Sequence, residues 1–171
     1  MPSVVNSASM NYGSLGARAV ETLNTAAAIA DCWQGTGEGG LTPYHCHGGE
    51  LVWQIGTGYF GCRADQGRFD VERFCDVVAG NTQIKTIELK LSQGAKPGLG
   101  GLLPAAKMTP EIAAVRGIAA AVDCRSPSRH SAFTDADSLL DFAALLAQRI
   151  GLPIGIKSAV GELELFEDLA R

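Results

Sequence analysis

Two lysines stand in strand-like surroundings, and each is followed two residues or one residue later by a serine. In TIELKLS (86–92), Ile87, Leu89 and Leu91 alternate with Glu88, Lys90 and Ser92. In PIGIKSA (153–159), Ile154 and Ile156 alternate with Gly155 and Lys157. If the apolar faces meet helices, both lysines lie on the other face of a sheet. Lys90 then stands near the C-terminal end of its strand, where parallel β/α scaffolds do their chemistry. An edge strand with a solvated face fits the same alternation equally well. Two buried ammonium groups need anionic partners, because an unpaired buried charge is very costly. A phosphate, a carboxylate substrate or the anionic edge of a reduced flavin could supply them.

Other constellations are weaker. YHCHGGE (44–50) groups His45, Cys46, His47 and Glu50, all of them zinc-ligand types. No second ligand cluster lies at a finger-like spacing, so a loop beside a polar ligand is the plainer reading. CRSPSRHSAF (124–133) brings Ser126, Ser128 and His130 together, but a GxSxG elbow is missing. The loop following a strand is the simpler account. GxGxxG occurs at GTGEGG (35–40) and GTGYFG (56–61). A dinucleotide site requires such a turn to follow a strand and open a helix directly. Pro43 stands where the first helix should run. The second follows LVWQI, and it would serve a nicotinamide dinucleotide in a Rossmann-like domain if a helix began at Gly61.

These residues need elements to position them. SVVNSASM (3–10), LVWQI (51–55), IKTIELKLS (84–92), AAVDC (120–124) and PIGIKSA (153–159) read as strands. Helices are expected at 16–31, with Val20, Leu23, Ala27 and Ala30 as the apolar stripe, and at 68–78. TPEIAAVRG (109–117) carries Thr109 for the N-cap, Pro110 for the first turn and Gly117 for the stop. A capping box in TDAD (134–137) opens a helix to Ile150, with Leu139, Ala143, Leu146 and Ile150 facing the core. GELELFEDLAR begins a last helix. Strands alternating with helices imply an α/β fold with a parallel sheet. Five strands leave an open doubly wound sheet or part of a (β/α)8 barrel, since a whole barrel takes about 250 residues.

The composition narrows the classes further. The 171 residues make one domain, 46% hydrophobic and 19% charged, with a mean hydropathy of +0.11. Such a chain builds a core, which excludes disorder. Fourteen basic and 18 acidic residues give a net charge of −4 without a basic run. That argues against a nucleic-acid or anionic-membrane partner. The start, MPSVVNSASMNYG, has no secretory pattern, and the five cysteines form no CxxC. Reduced thiols in the cytoplasm are the expectation. Cys32 and Cys124, set among apolar residues, read as inert core thiols.

SMNYGSLGARAVETLN, TGEGGLTPYH, LVWQIGTGYFGCR, IELKLSQGAKPGLGG and SPSRHSAF closely resemble the FMN-binding glutamate synthase family. The likeness runs from about Val4 to Arg171. It implies a partial (β/α)8 TIM barrel, roughly the first five βα units, over residues 1–171. It also implies a cofactor and a reaction. Ammonia, free or derived from glutamine, and 2-oxoglutarate give 2-iminoglutarate, which takes a hydride from reduced FMN to become L-glutamate. By this resemblance Glu38 and Lys90 are catalytic. Lys90, Gln93 and Ser126 bind substrate. Ser9, Met10, Asn11, Gln54 and Thr57 border the flavin, and Lys157 stands by its N1/O2 edge, where a cation favours the reduced anion.

The departures from that pattern are specific. Gly35 stands where the family usually has Asn, and Arg125 where it generally has an apolar residue. The iron–sulfur cysteine loop and the glutaminase domain of the large family members have no counterpart. The later strands, with the loops that bind the FMN phosphate, lie past the last residue of this sequence. The resemblance therefore implies weak FMN binding by these 171 residues alone. It leaves open a silent remnant that acts only by association, either with itself or with a complementary half-barrel chain.

Overall fold

The computed structural model describes residues 3–91, 100–159, 161 and 163–170. In chain order the elements are α1 (Ala17–Ala30), β1 (Gln34–Gly35), β2 (Leu51–Ile55), α2 (Val71–Ala79), β3 (Ile84–Lys90), β4 (Leu102–Leu103), α3 (Pro110–Arg116), β5 (Cys124–Arg125), α4 (Ala136–Ile150), β6 (Ile154–Lys157) and α5 (Glu164–Leu169). Single 3-10 turns lie at Pro43–His45 and Ala105–Lys107. Strands β1, β2, β3 and β6 form one parallel sheet, neighbours in that order. The fold is α/β, as expected. Its strand order never reverses among the described residues, so no topological switch point of the doubly wound kind is present.

The alternation read from the sequence sets the two faces of this sheet. Leu51, Trp53 and Ile55 of β2 and Ile87 and Leu89 of β3 are buried on one face. They pack against Phe74 of α2 and Leu139 and Leu146 of α4. Trp53 and Phe74 stack with ring centroids 5.5 Å apart. Each such side chain contributes about 1.5–3 kcal/mol when fully buried. Thus Leu89→Ala removes packing from the centre of the domain. On the other face Gln54, Glu88 and Gly155 lie side by side in register, and Lys90 lies beside Lys157.

A smaller cluster sits apart from this core. Phe60, Leu103, Met108, Ile112, Ala113 and Cys124 pack together beneath α3. The antiparallel pair β4 and β5 supplies Leu103 and Cys124. We refer to this unit as the cap. Its helix obeys the expected punctuation. Thr109 accepts from the Ile112 N–H, and Gly117 ends the helix at φ 63°.

Several expectations need correction. Residues 3–10 make a single parallel bridge, Ser7 to Gln34, rather than a strand, and Val4 and Val5 are exposed. AAVDC is not a buried strand: residues 119–123 are exposed, Ala121 is left-handed at φ 56°, and only Cys124 is buried and paired. Small apolar residues there mimic a strand without the bulk to hold one. Helix α1 buries Val20, Asn24 and Ala27, leaving Ala30 exposed. Asn24 takes that face because its amide bridges Gln34 and Gly49 and accepts from the His47 and Gly49 N–H groups. The second helix starts at Val71, capped by Asp70, rather than at 68. The box on α4 is Asp135 with Ser138, one residue later than read. Cys32 is only half-buried, and Cys62 is the fully buried thiol.

The dinucleotide reading fails on the same ground. Gly56, Gly58 and Gly61 lie in successive turns, and no helix begins until Val71. The expected loop 93–101 and Gln93 within it lie mostly outside the described residues, and Gln93 wholly so.

Candidate active site

Every residue that the family resemblance singled out and the structure describes, Ser126 apart, stands at or just past the C-terminal end of a parallel strand or of the segment bridged to β1. Close backbone approach makes this possible. A Cβ on Gly35 would come within 2.8 Å of the Ser9 Cα. One on Gly37, where φ is +71°, would come within 2.6 Å of the Asn11 nitrogen. One on Gly56 would lie 2.7 Å from Glu38 Oε2. The segment 9–11 therefore lies flat on the turn after β1, and Glu38 lies flat on the turn after β2. Gly35, a departure from the family pattern, is required by this contact: no side chain fits between it and Ser9.

A cleft of about 160 Å³ opens between these turns and the cap, lined by Asn11, Ser14, Glu38, Arg116 and Ser126 among others. Glu38 lines its sheet side and Arg116 its cap side. On the sheet wall, Lys90 Nζ lies 3.3 Å from Glu38 Oε2, with the two side chains only 14% and 18% exposed. Farther along the sheet, Lys157 Nζ lies 3.8 Å from Glu88 Oε1, and Lys157 is 45% exposed. The amide of Gln54 also donates to Glu88. The ammonium groups that the sequence turned inward thus find carboxylates within the protein itself.

The cap wall carries Arg116, which sequence reasoning missed. Its residue is only 5% exposed. Nη1 donates weakly to Cys124 Sγ at 3.6 Å, and the guanidinium lies over the Phe60 ring, 4.9 Å from its centroid. Nε has no hydrogen-bond partner. Among the described residues no carboxylate lies within ion-pair distance of it. A buried cation that lines a cleft and has an orphaned donor is chemically suited to an anion. The only signal in the sequence was an arginine inside an otherwise apolar helix turn, IAAVR.

Helix α3, which carries Arg116, is held from outside. Tyr12 and Tyr44 both donate to Glu111, each at 2.5 Å, with their rings 4.9 Å apart. Donation to the carboxylate pushes both phenols up in pKa and holds the Glu111 carboxyl below its usual range. The fork ties α3 to the segment after residue 11 and to the 3-10 turn at Pro43–His45.

The remaining candidates divide. Asn11, Glu38 and Ser126 share the cleft, with Lys90 behind Glu38. Gln54 and Lys157 meet through Glu88. Thr57 is buried and donates to the Pro127 carbonyl at 2.7 Å, which joins the turn after β2 to the loop after β5. Ser9 packs on Gly35, and Met10 is 40% exposed. Arg125 is exposed and pairs with Asp123 at 3.6 Å, so the apolar position of the family is here on the surface.

The zinc and hydrolase alternatives gain nothing. His45 is fully buried, and its Nδ1 accepts from the Thr42 N–H. Its burial pushes its pKa down. His47 points instead toward Glu21, 3.9 Å away, and Glu50 accepts from Trp33. Among the described residues no three His, Cys, Asp or Glu side chains could hold a metal ion. Both nitrogens of His130 are engaged, by Tyr59 and by the Lys90 carbonyl, so neither serves Ser126 or Ser128 as a base. No described helix is long and apolar enough to cross a membrane.

Comparison with known proteins gives the family. The family model described as the conserved region in glutamate synthase matches residues 1–165. The chain is 40% identical over 168 residues, 97% of its length, to the glutamate synthase large subunit-like protein YerD of Bacillus subtilis, of which it covers 32%. It is 36% identical over 163 residues to the archaeal glutamate synthase (NADPH) of Methanocaldococcus jannaschii, covering 28% of that protein. It is 34% identical over 153 residues to the archaeal-type glutamate synthase (NADPH) of Thermotoga maritima, covering 27%. The chain thus spans about a third or less of the length of these relatives. The matched stretch includes every residue of the cleft, and on that footing the chain belongs to the glutamate synthase family.

Proposed function

We propose that this chain forms the substrate side of a glutamate-synthase-type oxidoreductase site, in which 2-oxoglutarate and ammonia become L-glutamate. Family membership supports the reaction class. The single observation that carries the substrate class is Arg116, a buried guanidinium with no carboxylate partner among the described residues, lining a polar cleft. In this reading the four-stranded sheet is an arc of a (β/α)8 barrel, and its chain-order strands support that choice over a doubly wound sheet.

The residues divide the work as follows. Arg116 takes one carboxylate of the substrate through charge-assisted hydrogen bonds. Lys90 takes the other, exchanging its contact with Glu38 for the incoming anion, and Ser126 and Gln93 assist. Forming the imine from ketone and ammonia moves two protons in turn from nitrogen to the carbonyl oxygen, which departs as water. Glu38, released from Lys90, is the carboxylate that shuttles them.

The residues suit the ring of FMN better than its phosphate. Gln54, Thr57, Asn11 and the half-exposed Lys157 offer an amide, a hydroxyl, an amide and a cation around a glycine-lined turn at Gly56. Ser9 and Met10 complete that edge. FMN, when bound and reduced, supplies the hydride for the imine carbon. Lys157 favours the anionic reduced form from beside it. No cluster for the phosphate accompanies these groups among the described residues, and weak FMN binding is the expected result.

The test is a pair of titrations on the purified chain. 2-Oxoglutarate should shift the resonances of Arg116 and Lys90 in an NMR titration, whereas a monocarboxylate of equal charge per group should shift fewer. FMN should bind more weakly than micromolar. Absence of any dicarboxylate effect on Arg116 overturns the substrate reading, and micromolar or tighter FMN binding overturns the cofactor statement.

One observation favours a second reading, in which the chain acts by association. β6 has one described neighbour, and Gly155, Ile156 and Lys157 are exposed on it. Parallel strands are ordinarily covered on both faces and at the edge. Light scattering that gives a dimer, or a larger complex, supports this reading.

A further inference from the structure

We infer that His130 is a positioning residue that aims Lys90 at Glu38 on the edge of the cleft, acting through the backbone carbonyl of Lys90 in one fixed tautomer. This deepens the proposed function, since it rests on Lys90 as a carboxylate-binding group.

The hydrogen bonds leave one arrangement. His130 Nε2 lies 2.8 Å from the Lys90 carbonyl oxygen, which can only accept. Nε2 therefore carries a proton. Nδ1 lies 3.2 Å from the Tyr59 hydroxyl. That oxygen already accepts from the Ser131 N–H at 2.9 Å and the Ala132 N–H at 3.1 Å. A phenol has two acceptor positions and one proton to give. With both acceptor positions filled, its proton goes to Nδ1, which must be the unprotonated nitrogen. The neutral Nε2–H ring satisfies every partner, and an imidazolium would leave one N–H facing a saturated oxygen.

The node is also mechanically fixed. Tyr59 is 1% exposed and His130 4%. Tyr59 holds a left-handed backbone at φ 52°, which a non-glycine residue adopts only where its surroundings enforce it. The His130 ring stacks on Phe133, 4.7 Å between centroids and 23° between planes. One ring thus joins the turn after β2, the loop after β5 and the last residue of β3. The β3 carbonyl it holds belongs to the residue whose side chain reaches Glu38. Loss of the bond frees the strand end at the point where the direction of the Lys90 side chain is set.

The experiment uses the full chain and needs no activity. Long-range nitrogen–proton NMR should report His130 as the Nε2–H tautomer in the wild type. Lysine-directed acylation read by mass spectrometry then measures how well Lys90 is held, with Lys85 and Lys107 as internal controls. In His130→Leu, labelling of Lys90 should rise about fivefold relative to the controls, the equivalent of one hydrogen bond. His130→Gln retains a donor for the carbonyl and should bring it back to within about twofold. Should His130→Leu fail to fold, Tyr59→Phe tests the same tie more gently. It removes the hydroxyl that fixes the ring while Nε2 keeps its donor for the Lys90 carbonyl. It should raise Lys90 labelling relative to the controls by a smaller factor, and no rise overturns the inference. An Nδ1–H tautomer overturns the inference. So does labelling that rises equally at all three lysines, the mark of a merely structural role. If the wild-type chain binds no dicarboxylate while Lys90 still responds to His130, the substrate reading fails and the positioning role stands.

Discussion

The two walls of the cleft handle positive charge in opposite ways. On the sheet side, where Glu38 lines the cleft and the others stand behind it or farther along the sheet, each cation has an internal carboxylate: Glu38 for Lys90 and Glu88 for Lys157. On the cap wall Arg116 is more buried than Lys157 and has a sulfur, an aromatic ring and an orphaned Nε. A matched pair resists an incoming anion, because binding must first separate it. An unmatched guanidinium stores an unmet demand that an anion satisfies. Under the proposed function, that difference gives first capture of a substrate carboxylate to the cap and leaves the sheet side to respond.

Removing the unmatched cation gives the largest effect. Arg116→Met should weaken 2-oxoglutarate binding by at least tenfold, as expected for charge-assisted hydrogen bonds worth about 1.5–3 kcal/mol. Its stability should move by no more than about 1 kcal/mol, since relief of a buried unpaired charge offsets the lost contact with Phe60. Calorimetric titration and urea denaturation measure the two quantities. A variant that unfolds readily but binds normally erases the contrast between the walls.

The sheet wall should behave in the reverse manner. Lys90→Met leaves Glu38 without its lysine in a site 18% exposed. It should cost about 1–2 kcal/mol, below the value for a fully buried pair because both groups retain some water. Glu38→Gln in the same chain should recover most of that loss. If the double variant is no more stable than the single one, Lys90 and Glu38 do not form a balanced unit.

What the sequence made legible follows the same division. A strand's period of two forces Lys90 and Lys157 onto the face opposite Ile87, Leu89, Ile154 and Ile156. No detail of packing enters, so their shared face could be read directly, whereas which of the two is enclosed, Lys90 at 14% exposed or Lys157 at 45%, could not. The burial of Arg116 depends on Phe60 and Cys124, 56 and eight positions away, and on a two-residue antiparallel pairing. Nothing in TPEIAAVRG fixes which way its arginine turns. Asn24 escaped notice for the same reason: its burial rests on Gln34, His47 and Gly49, which no local period contains. AAVDC misled because small apolar residues satisfy a strand pattern while lacking the bulk to be buried. The carboxylate partners of the two lysines were likewise hidden. Glu88 was visible as a neighbour on its face, but Glu38 reaches Lys90 only because Gly56 has no side chain.

Acid should undo the node beside the sheet wall. Burial pushes the pKa of both His45 and His130 below the ordinary 6.5. The unfolded chain therefore binds protons more readily than the folded one in the window from 6.5 down to the folded-state values. Stability from these two rings is fully present above pH 6.5 and falls as the pH drops through that window. The urea midpoint should be lower at pH 5.5 than at pH 7.5, and His130→Gln should flatten part of that slope. A midpoint independent of pH over this range means that the His130 ring is not held neutral, which removes the tautomer argument and the tie to Lys90.

The smallest effect separates the two lysines of the sheet wall from each other. Lys157 is 45% exposed and lies 3.8 Å from Glu88, against 14% and 3.3 Å for Lys90 and Glu38. Pairs as open as this contribute between about 0 and 1 kcal/mol, and Lys157→Met should fall near the lower end, below about 0.5 kcal/mol. Glu88 keeps the Gln54 amide as a donor after the change, so no buried anion is left bare. Salt discriminates the two lysines further. Raising it should erase the small contribution of Lys157 and leave most of that of Lys90, because screening acts on exposed charges first. A Lys157→Met loss as large as that of Lys90→Met means that the far end of the sheet wall is closed rather than open. Lys157 would then not be free to face the edge of a flavin.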